Sequence, residues 1–201
     1  MGSLTREGLT SAAQRDRHRR ILDTTIALAS EGGFDAVQMR LVADRADVAL
    51  GTLYRYFPSK IHLLVSALGR EFERANDAAE RHPAPGDTAA DRVMHVLDRT
   101  TQTLQRDPHL TEALTRAFMF ADASVGPEIE VVERQVTRLL LRAIRPGGPD
   151  AESGGDRTRS VEVARVIGDV WLASLVKWVT GRASADDVAG SMEVAVRLLL
   201  R

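Results

Sequence analysis

The 201-residue chain has no cysteine. That excludes disulfide bonds, thiol nucleophiles and cysteine-ligated zinc. Lysine is scarce: among 27 basic residues only Lys60 and Lys177 are lysines, and the rest are arginine. Long apolar runs are missing too. Val170–Val176 meets the charge of Lys177 after seven residues, where a membrane span needs roughly 18–20. The N-terminal MGSLTREGLTSAAQRDRHRR lacks the apolar core of a signal peptide, so a soluble, cytoplasmic protein is expected. No charge of one sign dominates, with 27 basic against 28 acidic residues, so a nucleic-acid footprint has to be local. The five histidines, 18, 62, 82, 95 and 109, show no metal-ligand spacing, and HExxH, phosphate-loop and GxSxG patterns do not occur. Asp122 and Ser124 in FADAS read as capping or turn residues before any catalytic pair. No catalytic residue, metal or cofactor is expected, and a helical enzyme is disfavoured.

What is present is enough apolar residue for a real core, 44% hydrophobic with 27% charged, in a length that suits one or two small domains. Residues 1–14 are small and polar and read as a flexible arm. From Gln14 the pattern is helical, with Ile21, Thr25, Leu28 and Ala29 on one stripe. Arg15, Arg17, His18, Arg19 and Arg20 crowd its first turns, where the helix dipole prefers acids. Such a cluster either faces an external anion or is a solvated basic face. Gly32 and Gly33 end the helix, and Phe34 returns to the core.

The centre of the chain is Gln38–Lys60, QMRLVADRADVALGTLYRYFPSK. A second helix over about Gln38–Ala46 buries Val42, Ala43 and Ala46, and Ala46-Asp47-Val48 turns the chain. A third runs from Ala49 or Leu50 to Phe57, where Pro58 stops it. Leu53 and Phe57, at i and i+4, point inward with Val48. Leu50, Gly51, Thr52, Tyr54 and Tyr56 are left outward. Small, apolar and hydroxyl-bearing tips suit base edges, thymine methyls and phosphates. Ser59 can cap a fourth helix with Lys60 in its first turn, a phosphate-binding arrangement.

These residues resemble the DNA-binding domain of TetR-type transcriptional repressors. The likeness is strongest in GTLYRYFPSK, residues 51–60, and extends over about residues 15–75. The resemblance implies an all-α protein of about nine helices. It divides the chain into a helix-turn-helix domain at 15–62, built from three helices, and a larger ligand-binding and dimerisation domain at 63–201. It also implies that Arg40, Leu50, Gly51, Thr52 and Tyr54 meet the major groove of an operator, while Gln38, Tyr56 and Lys60 hold its backbone. Three positions depart from the family: Asp47 replaces the usual turn glycine, Ala49 the usual capping serine, and Gln38 the usual threonine. Asp tolerates a left-handed backbone better than most residues, and a missing cap costs about 1 kcal/mol.

Beyond the reader, Leu64, Leu68, Phe72 and Ala75 continue a long linking helix to about Arg81, broken by His82–Asp87. Helices follow at 90–106 (Val93, Met94, Leu97, Thr101, Leu104), from Pro108 (Leu110, Leu114, Phe118, Met119) and after Gly126-Pro127 (Ile129, Val132, Val136, Leu139, Leu140, Ile144). Residues 145–157 read as a mobile loop. The helix at about 158–181 is apolar nearly all round, through Val163, Val166, Ile167, Val170, Trp171, Leu175, Trp178 and Val179, so it must be covered on every side. The last, about 185–200, carries Val188, Met192, Ala195 and Leu199. Two such helices from each subunit would form a four-helix dimer interface. A two-fold dimer would place its readers on half-sites about 34–36 Å apart.

Periodicity alone leaves open whether residues 90–180 form a solid core or a cavity. A closer likeness, in LTEALTRAFMFADAS and DVWLASLVKWVTGRASADDV, ties the chain to actinobacterial repressors of cholesterol catabolism. It implies a small hydrophobic effector, a steroid-derived coenzyme A thioester. On that basis Leu97, Leu104, Phe118, Met119, Leu139, Trp171 and Trp178 are candidate walls, with Gln135 or Thr101 as a polar contact. Arg116, Arg134 and Arg138 are available to a coenzyme A moiety, or form a solvated face. Two alternatives remain at this level: a repressor of another pathway with a different hydrophobic effector, and a ligand-independent architectural DNA-binding protein.

Overall fold

Apolar residues recurring at helical spacing, punctuated by Gly and Pro, give nine α-helices among the described residues, 6–145 and 154–200, of the computed structural model. They are α1 (Arg6–Ala36, broken where Gly32 and Gly33 leave helical geometry), α2 (Met39–Arg45), α3 (Leu50–Tyr56), α4 (Lys60–Arg81), α5 (Ala89–Arg106), α6 (Pro108–Met119), α7 (Gly126–Ile144), α8 (Gly154–Val179) and α9 (Ala185–Leu199). A 3-10 turn, Ala123–Val125, leads into α7. The described residues contain no strand.

Two expected boundaries differ. α1 begins at Arg6, not near Gln14, so most of the expected arm is helix; Ala12, Ala13 and the charged residues around them are good helix formers despite the Gly and Ser nearby. Residues 1–5 lie outside the description. α8 begins at Gly154, inside the stretch read as loop; residues 146–153 of that loop lie outside the description.

Helix ends follow local chemistry. Thr88 with Asp91, and Ser184 with Asp187, form capping boxes at α5 and α9. Both carboxyls are held below the usual carboxylate range by hydrogen bonds from the capping residue's hydroxyl and backbone N–H. Asp107 caps α6, with Pro108 in its first turn.

The core is continuous from the reader to the body. Ile21, Leu28, Val42, Leu53 and Phe57 are buried in the first three helices, and Leu63, Leu64 and Phe72 of α4 continue the layer. α7 is pressed between α4 and α8. A Cβ placed on Gly69 would lie 3.3 Å from Val131 Cγ1, and one on Gly168 3.0 Å from Val136 Cγ1. α8 turns Ala164, Ile167, Trp171 and Leu175 inward. Its opposite side is open in the single chain, with Val166 42% exposed, and α9 likewise leaves Val194 61% and Leu198 58% exposed.

Candidate DNA interface and effector cleft

The turn between α2 and α3 closes as a Schellman motif: Val48 N–H donates to Ala43 O at 3.0 Å and Asp47 N–H to Asp44 O at 3.3 Å. Asp47 takes φ +52°, as expected from its tolerance of the left-handed region, and is the sole non-glycine to do so among the described residues. Leu53 and Phe57 are buried beneath this turn. Gln38 and Ala49 stand at the N-caps of α2 and α3 and neither makes a side-chain cap. Their first N–H groups are left for another acceptor.

That packing fixes which side chains face out. Tyr54 is 47% exposed, Gly51 is exposed, and Leu50 and Thr52 are half-buried beside them. Arg40 is exposed and has no ion pair or hydrogen bond among the described residues. Arg45, by contrast, is committed to Glu31 through two bonds of 2.7 and 2.8 Å. Gln38 is exposed. Tyr56 is half-buried, its ring edge-on to His18 at 6.1 Å, and His18 also lies 5.2 Å from the ring of Phe57. His18 remains exposed, but the rings against one side partly desolvate the imidazole and, with the nearby Arg70 charge, lower its pKa below the ordinary imidazole value; Glu73 opposes the shift.

Ser59 caps α4 as expected: its hydroxyl accepts from His62 N–H at 3.5 Å and meets His62 Nδ1 at 2.9 Å. Lys60 is differently placed from the simple phosphate clamp of the sequence reading. Its ammonium lies 3.8 Å from the centre of the Phe34 ring. Burial lowers its pKa, Asp35 opposes this, Arg116 adds to the lowering and Glu112 opposes it. Arg116 sits 4.4 Å from the same ring and 3.7 Å from Asp35. Glu112 of α6 accepts the Phe34 backbone N–H at 2.9 Å. Gly33, at φ +70° and ψ −161°, leaves room for that carboxylate, whose Oε2 is 2.9 Å from where a Cβ would stand. The reader and the body are therefore joined at Gly33–Phe34 by α6. Asp23, paired with Arg70 at 3.3 Å and with Arg74, joins α1 to α4.

A cleft of about 1270 Å³ lies between the end of α4, α5, α7 and the start of α8. Ala79, Ala84, Val96, Leu139, Leu141 and Val161 supply apolar wall, and arginines rim it. Of these, Arg92 is used structurally, its Nε donating to Ala143 O at 2.9 Å and its Nη2 to Ile144 O at 3.3 Å, which satisfies carbonyls at the end of α7. Arg134 pairs with Glu130 at 3.5 Å. Arg138 and Arg165 have no partner among the described residues.

Of the residues nominated from sequence, Gln135, Leu139, Arg134 and Arg138 line this cleft. Leu97, Thr101, Leu104, Phe118, Met119, Trp171 and Trp178 do not. Leu97 and Trp171 are buried core; Trp171 packs edge-on to Phe72 at 5.8 Å and donates its indole N–H to Thr101 Oγ1 at 3.2 Å. Leu104, Phe118 and Trp178 pack as half-buried flank of that core, and Met119 is 41% exposed at the end of α6. Arg116 belongs to the domain junction. The residues missed were Asn76, Glu112 and Arg142; the partners that tie them across the molecule, Gln135, Phe34 and Glu80, lie far off in the chain, and no local pattern marks them. The described residues contain no cluster able to hold a metal ion and no helix long and apolar enough to cross a membrane.

Comparison with known proteins agrees with this geometry. The model for bacterial regulatory proteins of the tetR family matches residues 21–67, and that for the tetracyclin repressor-like C-terminal domain matches residues 86–199. The HTH-type transcriptional repressor KstR of Rhodococcus jostii is 55% identical over 198 residues, covering 98% of this chain and 89% of that protein. KstR of Mycobacterium tuberculosis is 51% identical over 197 residues, covering 98% and 86%. Among solved structures, a TetR transcriptional regulator from Rhodococcus sp. RHA1 superposes with a TM-score of 0.80 at 33% identity, covering 94% of this chain and 97% of that one. Thermus thermophilus FadR, solved with lauroyl-CoA, shares the fold with a TM-score of 0.70 at 19% identity, covering 91% and 93%. These relatives are transcriptional repressors and not enzymes, and with a DNA reader at one end and a family-matched helical body at the other, the chain belongs to the TetR family of helix-turn-helix transcriptional repressors.

Proposed function

We propose that the protein is a cytoplasmic, dimeric repressor of sterol or lipid catabolism genes, released from a palindromic operator by a steroid-derived acyl-CoA. The observation that carries the reading is α4, a single helix that starts behind the recognition helix at Lys60 and ends in the cleft wall at Ala79 and Glu80. In this reading α3 enters the major groove with Leu50, Gly51, Thr52 and Tyr54. Arg40 of α2 reaches a base edge, Gln38 and Tyr56 meet phosphates, and Lys60 does so by swinging off the Phe34 ring. The exposed Val166, Val194 and Leu198 of α8 and α9 pair with a second copy. The cleft suits an amphiphile of this class: apolar wall at Ala79, Val96, Leu139 and Val161 for a sterol body, and Arg134, Arg138 and Arg165 for phosphate groups. Two further points support it: the relation to KstR, and a fold that holds an acyl-CoA in the Thermus protein.

Release needs only that the effector bind the DNA-incompetent arrangement better than the competent one; a tenfold release corresponds to about 1.4 kcal/mol. The test is a gel-shift titration of operator complexes with cholanoyl-CoA, lauroyl-CoA and free coenzyme A. Release by the steroid thioester at lower concentration than by the others is expected. Operator binding indifferent to all three would sink the effector assignment. Weak, salt-sensitive binding without protection of any one palindrome would instead indicate an architectural protein.

A further inference from the structure

The seam between α4 and α7 is apolar along most of its length, closed by Gly69 against Val131. One polar side chain interrupts it. Asn76 is 2% exposed, and its Nδ2, with two hydrogens, lies 2.9 Å from Phe72 O, 2.9 Å from Gln135 O and 3.1 Å from Gln135 Oε1, so the two contacts to Gln135 share one hydrogen. Two of those partners are backbone carbonyls, which can only accept, so the orientation of the Asn76 amide is settled. Its Oδ1 consequently points away from them, buried and without a donor among the described residues. The orientation of Gln135 follows: with Oε1 turned to Asn76, its Nε2 is the free end, and Gln135 lines the cleft. A second cleft residue reaches the same point. Arg142 donates through Nη1 to Asn76 O at 3.0 Å and pairs through Nη2 with Glu80 at 3.5 Å. Two wall residues of the cleft, on α7, are thus tied to one residue of α4.

We propose that Asn76, Gln135 and Arg142 form the sensor through which occupancy of the cleft is read by α4. Gln135 Nε2 donates to an acceptor on the effector, such as a ketone, thioester or amide oxygen. Arg142 turns to an anionic group of the same molecule, leaving Asn76 O and Glu80. Both ties across the seam then loosen together. α4 is then freed to move against α7, the loss of both ties being offset by the effector's own contacts with Gln135 and Arg142. The assignment rests on the cleft being the effector site. It adds the hydrogen-bonding character of the ligand at that wall and the residue that couples ligand to DNA.

The experiment uses the full chain with cholanoyl-CoA as probe. Dissociation constants for the probe, with and without operator, are measured by calorimetry, and operator affinity by anisotropy. Their ratio in the wild type is expected at roughly 5–150-fold. Asn76→Leu keeps the volume and removes the polar tie. It is expected to bind the probe within about threefold of wild type while the ratio falls to about twofold or less. Gln135→Glu keeps an acceptor for Asn76 but replaces the donor that faces the cleft. It is expected to weaken the probe about tenfold or more and to lower the ratio as well, because the contact that loosens the tie is lost. A wild-type ratio in Asn76→Leu, with or without a lowered melting temperature, overturns the sensor and leaves the cleft reading intact. Absence of probe binding to the wild type, or unchanged binding in both Gln135→Glu and Arg138→Glu, overturns the cleft reading itself and the sensor with it. If Asn76→Leu does not fold, Asn76→Ser carries the same readout, because serine is too short to hold Gln135.

Discussion

Gly33→Ala tests how the two halves of the molecule are joined. At φ +70° and ψ −161°, Gly33 occupies a region close to forbidden for any other residue, and forcing alanine into it costs about 1–3 kcal/mol. The new methyl would also lie 2.9 Å from Glu112 Oε2. That oxygen ends a flexible side chain and can retreat, but only by releasing the Phe34 N–H it accepts at 2.9 Å. A hydrogen bond to a charged group contributes about 1.5–3 kcal/mol. The Glu112 side chain is 41% exposed, so water screens the interaction and the lower part of that range, about 1–2 kcal/mol, applies. The two effects sum to roughly 2–5 kcal/mol, a large share of the 5–15 kcal/mol that holds a typical domain together. For a chain of this size the melting temperature should fall by roughly 4–20 °C. Urea unfolding of wild type, Gly33→Ala, Glu112→Ala and the double variant forms a cycle. The contact part should vanish in the double variant, leaving a coupling of about 1–2 kcal/mol, while the backbone part persists. Additive single effects would show that the methyl never reaches Glu112. A Gly33→Ala protein within about 0.5 kcal/mol of wild type would refute both parts.

Other expectations follow from the same geometry. Tyr54→Ala and Arg40→Ala should each weaken operator binding about tenfold or more per half-site with the melting temperature unchanged, because both side chains are exposed and make no internal bond that stability depends on. Wild-type affinity in both would overturn the orientation assigned to α2 and α3. Leu53→Ala empties a fully buried position under the turn and should cost about 2–5 kcal/mol in urea unfolding; a loss below about 1 kcal/mol would mean that α3 repacks. His18 titrates below its ordinary 6.5 in the folded chain, so the folded state holds fewer protons than the unfolded one as pH drops through that range. Its contribution to stability is complete above 6.5 and is lost as pH falls through the lowered value. Melting temperatures between about pH 7.5 and pH 5.5 should therefore fall less in His18→Phe than in wild type, and equal slopes would remove His18 from the account.

The reader was legible because its determinants are local. Leu53 and Phe57 at i and i+4, Pro58 closing the helix, and Asp47 in the left-handed region all act within a few residues of themselves, so spacing and backbone preference carried the turn. The linking helix was legible for the same reason, with Ser59 as its cap. The cleft was not. Leu97, Trp171 and Leu139 obey one apolar periodicity, and periodicity says that a side chain points inward, not whether protein or a void faces it. Trp171 meets Thr101, 70 residues away, and is sealed in core. Glu112 finds Phe34 N–H across 78 residues, and Asn76 finds Gln135 across 59. The start of α1 was missed for another reason: glycine, serine and threonine near the N-terminus masked the helix-forming residues among them.

Gly69 and Gly168 press opposite sides of one helix. Each is a place where a valine of that helix reaches the bare backbone of its neighbour, and a methyl added there would require that valine to give by a few tenths of an ångström. Substitution at Gly69 would move α4, and with it the reader. Substitution at Gly168 would move α8, and with it the face left open beside Val166. Most surface positions here can drift singly, but these two set the thickness of a three-helix slab. A new side chain at either would be answered across the slab by Val131 or Val136, so variants of this protein should change such positions in pairs or not at all.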